Sequence, residues 1–471
     1  MQTNRIKTFA VLLAIFLGSV FLQAQDITGQ WNGVLSIQGM NLRLVFHISE
    51  NAGVFSATMD SPDQGAFGIP VNLTTFDGSK LSLAIPAMGL SYEGELNENT
   101  VSGTFKQGHL TLPLTLERTE EPPKALVRPQ EPKQPFPYRS EEVFFENRMA
   151  NITLAGTLTL PENGENLTAV ILISGSGAQN RDSEIFGHKP FLVIADYLTR
   201  RGIAVLRFDD RGTAQSTGNF ETATTANFAT DVESAIAFLK THPEINLQKI
   251  GLIGHSEGGI IAPMVASRSQ DVAFIVMLAG TALRGDKILL SQQAMIFRAS
   301  GMPENQIEQI LAINTKIFDK IIDTKADLSQ QEIINFLNGM KVELTVLAAM
   351  NGMTTDDYIH LMSAQLSSLW MQYFIRYNPA PALEKLQIPV FALNGSNDLQ
   401  VSATENLTAI SEALKRGGNQ NVIIREYSGL NHLFQECASG LPQNYGLIEQ
   451  TFSPKVLMDL ADWILSLQIT N

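Results

Sequence analysis

Ser256 sits in the pentapeptide Gly254-His255-Ser256-Glu257-Gly258, directly after the apolar run Lys249-Ile250-Gly251-Leu252-Ile253 and directly before the helix-compatible Gly259-Ile260-Ile261-Ala262. A strand, a glycine-flanked serine and a helix together form a nucleophile elbow, in which small neighbours let the backbone turn sharply enough to present the hydroxyl at the sheet edge. The helix N-terminus behind it meets developing negative charge with positive dipole. A serine hydroxyl is a poor nucleophile at neutral pH, so it needs a base within hydrogen-bond reach and a carboxylate to hold that base in one tautomer. Two downstream segments supply them. Asn394-Gly395-Ser396-Asn397-Asp398 follows the apolar strand ending at Leu393, and Ser428-Gly429-Leu430-Asn431-His432 follows the next strand in the same way. The order Ser256, Asp398, His432, each just beyond a strand, is the pattern of acyl-transfer chemistry on an alternating strand-helix frame.

Attack by Ser256 creates an oxyanion, which needs two N–H donors fixed in advance, each contributing roughly 3 kcal/mol to the barrier when removed. The amide of Glu257 is one candidate. The other is the amide of Ser176, in the Ser174-Gly175-Ser176-Gly177 loop that ends the run Ala169 to Ile173. Asp209 and Asp210, also at a strand end, compete with Asp398 for the acid role; with Arg211 they otherwise read as a loop-knitting stretch of ion pairs. His255 reads as a packing or loop-fixing residue. His188, His242 and His360 lack strand-end placement, and the single cysteine, Cys437, reads as a small apolar side chain. Gly175-x-Gly177 is a poor dinucleotide fingerprint, because Asn180 stands where the third glycine belongs. The chain has no phosphate-binding Gly-x4-Gly-Lys-Ser/Thr loop and no His-Glu-x-x-His, so no cofactor and no metal are expected.

The elements that must position these residues form an α/β frame. Strands at Ala169–Ile173, Ala204–Phe208, Lys249–Ile253, Ala273–Leu278, Pro389–Leu393 and Val422–Tyr427 alternate with helices near Lys189–Arg201, Asn227–Thr241 and Pro454–Leu467, which implies a mostly parallel sheet covered on both faces. Between about residues 284 and 378 the alternation stops and helical periodicity takes over, the mark of an inserted helical cap; Ser329 to Glu332 has capping-box spacing and Gly339 can end that helix. Two strands, Glu142–Arg148 and Ile152–Leu160, open the unit. Residues 139–471 are therefore read as the α/β domain. Residues 25–119 instead alternate with period two between frequent turns, as in Trp31/Gly33/Leu35/Ile37 and Leu81/Leu83/Ile85, and predict a small all-β barrel or sandwich. Its role is either a ligand-binding calyx or a packing or targeting module. Residues 120–138 carry six prolines among charges and read as an extended linker.

Residues 1–24 read as a secretory signal peptide: Arg5 and Lys7 precede the apolar stretch Phe9 to Leu22, with Ala24 as the cleavage point. A stretch of roughly 14 residues is short for a membrane span. The expectation is an exported protein, periplasmic or secreted. One cysteine leaves no internal disulfide to form there, so stability must come from packing. A formal charge of -14 argues against nucleic acid as a partner. Sequons stand at Asn72, Asn151, Asn166 and Asn406.

From Glu141 to Leu467 these motifs resemble the α/β-hydrolase superfamily, in its serine-aminopeptidase-like and carboxylesterase branch. The resemblance rests on Ser174-Gly175-Ser176-Gly177, Asp209-Asp210-Arg211-Gly212, the Ser256 elbow, Asn394 to Asp398 and Asn431-His432. It implies Ser256, Asp398 and His432 as a triad, with Ser176 and Glu257 as oxyanion donors. Ser174 stands where many relatives have histidine, and Ala214 where another glycine is common. The function it implies is a serine hydrolase cleaving carboxylic esters through an acyl-enzyme, acting on small-molecule esters. A serine aminopeptidase acting on short peptides is the alternative, and needs acidic cap residues such as Glu304, Glu308 or Asp357 facing the pocket. A non-catalytic ligand-binding protein on the same fold is the third. The oligomeric state is left open.

Overall fold

The computed structural model describes residues 26–468 apart from residues 38–39, 52, 63–65, 108–109, 120–126 and 352. The signal-peptide expectation for residues 1–24 and the first part of the proline-rich linker lie outside the described residues.

Nine antiparallel strands come first: β1 (Gly29–Ile37), β2 (Met40–Asn51), β3 (Val54–Ser61), β4 (Ala66–Val71), β5 (Leu73–Phe76), β6 (Lys80–Ile85), β7 (Leu90–Asn97), β8 (Thr100–Gln107) and β9 (Leu110–Thr119). Their order, β4-β3-β2-β1-β9-β8-β7-β6-β5, brings the two edge strands round beside each other, so the sheet is a nearly closed barrel. Inward positions carry Trp31, Phe46, Tyr92 and Phe105, all essentially buried. Their polar handles are satisfied: Trp31 Nε1 donates to the carbonyl of Ile27 at 2.8 Å, and the Tyr92 hydroxyl lies 2.9 Å from the carbonyl of Val101. These inward residues form one apolar core cluster. Three strands show no clean apolar alternation in sequence, although burial along β7 does alternate. In β7 the inward series Leu90, Tyr92, Leu96 is broken by Gly94, where a Cβ would lie 2.6 Å from the Tyr92 hydroxyl. The edge strands β4 and β5 are short, and β4 holds Gly68 and Pro70, residues that edges tolerate.

The α/β part follows as β10 (Arg139–Asn147), β11 (Ile152–Leu160), β12 (Leu167–Ile173), α1 (Pro190–Arg200), β13 (Ala204–Phe208), α2 (Thr225–Leu239), β14 (Ile245–His255), α3 (Gly258–Ala266) and β15 (Phe274–Leu278). Six cap helices come next: α4 (Gly285–Ala299), α5 (Glu304–Asp323), α6 (Gln330–Gly339), α7 (Lys341–Met350), α8 (Thr355–Leu366) and α9 (Leu369–Arg376). The short α10 (Ala380–Leu383), then β16 (Val390–Gly395), α11 (Ala403–Arg416), β17 (Val422–Tyr427) and α12 (Pro454–Ser466) complete the chain.

The eight strands lie in the order β10-β11-β13-β12-β14-β15-β16-β17, parallel from β13 onward and antiparallel at β10 and β11. The continuous apolar run of β12 divides between two cores. Ala169, Ile171 and Ile173 pack with α2, α3 and α11, whereas Val170 and Leu172 pack with α1 and α12. Alternation across a strand feeding both faces is why the run Ala169 to Ile173 carries no polar residue. The cap holds its own core around Ile317, Leu337, Leu344 and Ile375. Its α6 starts at Ser329, whose side chain accepts from the amide of Glu332 in a capping box.

Two contacts add to the sequence reading. The described half of the linker is not a free spacer: Arg128 donates to the carbonyls of Phe186, Gly187, Gly446 and Ile448, and Gln130 pairs with the backbone of Thr451 and Phe452. Asn406 is buried, with its amide on the carbonyl of Ser402 and its oxygen on the amide of Ala282, so it is closed to glycosylation in the folded chain. Among the described residues no single helix is long and apolar enough to cross a membrane.

Candidate active site

The elbow forms between the end of β14 and the start of α3. Ser256 takes φ +55°, the left-handed region, which costs a non-glycine residue about 1–3 kcal/mol and persists only where surroundings enforce it. Enforcement comes from its amide, which donates to the carbonyl of Leu278 at 2.9 Å, and from its flanking glycines. A Cβ on Gly254 would lie 2.0 Å from the carbonyl oxygen of Gly258, and one on Gly258 would lie 2.3 Å from that of Ile173. No other residue fits either position. On the facing loop, a Cβ at Gly175 would meet the Cβ of Ser256 at 3.1 Å, so the loop carrying Ser176 sits directly against the nucleophile.

His432 and Asp398 come from the loops after β17 and β16, adjacent strands of the sheet. Nδ1 of His432 lies 2.7 Å from Oδ2 of Asp398, and the two residues are only 5% and 3% exposed. Oδ1 of Asp398 accepts the amides of Gln400 and Val401 at 2.8 and 2.9 Å. A carboxylate held on one oxygen by two N–H groups accepts on the other as well, which assigns the proton to Nδ1 and leaves Nε2 of His432 with a free lone pair. Asn431 shapes the turn: its oxygen accepts the amides of Leu433 and Gln435 at 3.0 Å.

His255, the neighbour of Ser256, donates from Nε2 to the backbone carbonyl of His432 at 2.9 Å, and the two rings stand 4.8 Å apart. The structure therefore brings the elbow and the histidine loop into contact. Among the described residues Ser256 Oγ makes no hydrogen bond, so the nucleophile–base link itself is not closed here. In enzymes such links often tighten only when substrate is bound. The two amides expected to hold an oxyanion are unoccupied as donors: among the described residues neither Ser176 N–H nor Glu257 N–H has an acceptor.

Other candidates fall elsewhere. Asp209 is tied to Arg181, at 2.8 Å from Nη2, and to the amide of Arg181. Asp210 accepts from Ser174 Oγ at 2.7 Å and from the amide of Gln179 at 2.9 Å, and burial pushes its carboxyl up to about 7. Neither reaches His432. Ser174, in the position where relatives often have histidine, thus fastens its loop to Asp210. Ala214 has φ +47°, the conformation a glycine there would take without strain. His188 is buried beside Thr451 and Tyr445, and burial holds its imidazole down at about 4. Cys437 is half-buried rather than fully buried, and burial pushes its thiol up. Glu304 pairs with Arg298, Asp357 caps its own helix through Thr354, and Glu308 is exposed, so none of the three is brought to the site. Among the described residues no group of His, Cys, Asp or Glu is placed to hold a metal ion.

One site residue escaped the sequence reading in part. Glu257 was expected to contribute only its amide, yet its carboxylate is buried and accepts three side-chain hydrogen bonds. The signal was present: an acid leading the wholly apolar helix α3 has no solvent to face.

The family model described as "BAAT / Acyl-CoA thioester hydrolase C terminal" matches residues 232–367, a span that contains the elbow and stops before Asp398 and His432. Esterase EstD of Thermotoga maritima is 25% identical over 297 residues, 63% of this chain. The chain is thus similar to esterases of the α/β-hydrolase superfamily. An uncharacterized Pseudomonas aeruginosa protein, PA2218, is 33% identical over 116 residues, 24% of the present chain. The alignments span 61% of the Thermotoga protein and 29% of the Pseudomonas one. Among solved structures, the Pyrococcus furiosus esterase Pf2001 superposes with a TM-score of 0.42 at 16% identity, covering 73% of this chain and 98% of its own.

Proposed function

We propose that this hydrolase cleaves small carboxylic esters through an acyl-enzyme on Ser256. The observation that carries the reading is the 2.7 Å contact between buried His432 Nδ1 and Asp398, made beside a serine held at φ +55°. In the reaction, Ser256 Oγ attacks the ester carbonyl and its proton passes to Nε2 of His432. The carbonyl oxygen, now an oxyanion, takes the free amides of Ser176 and Glu257. Collapse of the tetrahedral species expels the alcohol, which receives the proton from His432. Water then repeats the sequence on the acyl-enzyme, with His432 as base, and releases the acid. Asp398 stays ionised throughout and stabilises the imidazolium by accepting from Nδ1.

An ester reading is favoured over peptide trimming because, of the cap acids that a substrate ammonium would need, Glu304 and Glu308 are exposed and Asp357 is engaged by Thr354 at its own helix start. A panel of p-nitrophenyl esters beside aminoacyl anilides tests it. Ester turnover lost in Ser256→Ala is expected; anilide turnover without ester turnover contradicts the proposal. Export is a second part of the proposal, supported by the charge and hydropathy pattern of residues 1–24. N-terminal sequencing of the mature protein is expected to begin at Gln25.

A further inference from the structure

The carboxylate of Glu257 has no reacting atom to touch, yet it is 2% exposed and gathers three donors from three separate parts of the chain. Ser176 Oγ donates to Oε2 at 2.8 Å. Thr225 Oγ1, at the start of α2, and Trp370 Nε1, at the start of α9 in the cap, donate to Oε1 at 2.6 and 2.8 Å. Burial pushes the carboxyl pKa up, so holding it in place depends on these partners.

The geometry has a consequence for the oxyanion donors. Ser176 and Glu257 each offer a free amide, and their side chains are bonded to each other, so the carboxylate fixes the spacing of the two amides. Its second oxygen meanwhile takes hold of the cap. Helix α9 is firmly part of that cap: Arg376 donates to the carbonyls of Ile321 and Ala326 and pairs with Asp327, and Trp370 stacks on Phe374 with centroids 5.2 Å apart. Where α9 goes, the indole goes.

We propose that Glu257 is a positioning residue that couples the seat of the cap to the oxyanion loop through the chain Trp370–Glu257–Ser176. A cap seated on its indole hydrogen bond holds the amides of Ser176 and Glu257 at their working separation; a cap lifted from it frees the carboxylate and lets the loop at residues 174–177 drift. This deepens the esterase reading and rests on it for its catalytic consequence, while the hydrogen-bonded brace itself does not.

Trp370→Phe keeps an aromatic ring against Phe374 while deleting the indole N–H donor, and Glu257→Gln keeps the volume. Two readouts are needed. The first is the indole N–H resonance of Trp370 in protein carrying 15N-tryptophan, with three tryptophans in the chain and the peak assigned by its loss in Trp370→Phe. Ser176→Ala is expected to shift that resonance, because the perturbation passes through the shared carboxylate. The second is turnover of p-nitrophenyl acetate. Trp370→Phe is expected to lower kcat about tenfold with KM within about twofold, and to cause no further loss in a Glu257→Gln background. Hydrolysis by the wild type, together with an indole resonance indifferent to Ser176→Ala and multiplicative kcat losses in the double variant, overturns the brace and leaves the esterase standing. An indole resonance that responds while the wild type hydrolyses no ester overturns the esterase reading and supports the brace.

Discussion

His255 and His432 are joined by a 2.9 Å hydrogen bond from the Nε2 of the first to the backbone carbonyl of the second. The residue next to the nucleophile thereby holds the backbone of the proposed base. A carbonyl can only accept, so His255 carries its proton on Nε2, and burial keeps its imidazole neutral by pushing the pKa down to about 3. Replacing His255 with alanine is expected to lower kcat about tenfold or more at little change in KM, because it releases the main chain that aims the base. His255→Gln, which restores a donor, is expected to recover part of the loss. Steady-state ester hydrolysis on both variants, with thermal unfolding to confirm the fold, checks this.

Asp398 accepts from His432 whereas Asp210 does not, and this separates the two acids experimentally. Asp398→Asn is expected to cut kcat by roughly 10³–10⁴-fold, since an amide favours the wrong tautomer of the imidazole. Asp210→Asn, which touches only Ser174 and the Gln179 amide, is expected to fall far less. Parallel measurement of kcat for both variants decides it.

Asp210 also makes a pH prediction. Burial raises its folded-state pKa from 3.8 to about 7, so the folded chain binds this proton more tightly than the unfolded chain. The contribution to stability is complete below about pH 4 and is lost as pH rises towards 7, at up to about 1.4 kcal/mol per pH unit. Asp210→Asn removes that dependence. Urea unfolding at pH 4.5 and pH 7 is expected to show the variant gaining on the wild type as pH rises; parallel curves contradict it.

Arg128 spends its guanidinium on four backbone carbonyls of two loops, at 2.7 to 3.2 Å. Arg128→Ala leaves those acceptors without their donor and is expected to destabilise the fold by about 2–4 kcal/mol. Limited proteolysis is expected to show new cleavage between residues 440 and 452, the stretch that the strap holds beside His432.

The frame was legible wherever a strand is buried on both faces. Val170, Leu172 and their alternates read as one apolar run, and the loop at the C-terminal end of such runs pointed to Ser256 and Asp398, while His432 follows the half-exposed edge strand β17. The barrel was legible where Trp31, Leu35, Leu44 and Phe46 alternate, and was hidden at β7 because Gly94 makes room for the Tyr92 hydroxyl. Hidden too were the roles of Glu257, Trp370 and Arg128. Each depends on partners between 32 and 320 residues away, and local periodicity holds no record of such pairings. The anchoring of the linker is equally invisible, because prolines and charges describe the backbone's stiffness, not the carbonyls on another loop that Arg128 meets.

The most direct test of the whole reading is covalent capture of the nucleophile. Wild-type protein treated with a fluorophosphonate and digested for peptide mass mapping is expected to carry one adduct, on Ser256, absent from Ser256→Ala and strongly slowed in His432→Ala. A folded wild-type chain that takes up no label at Ser256, or labels equally fast without His432, contradicts an activated serine at this elbow.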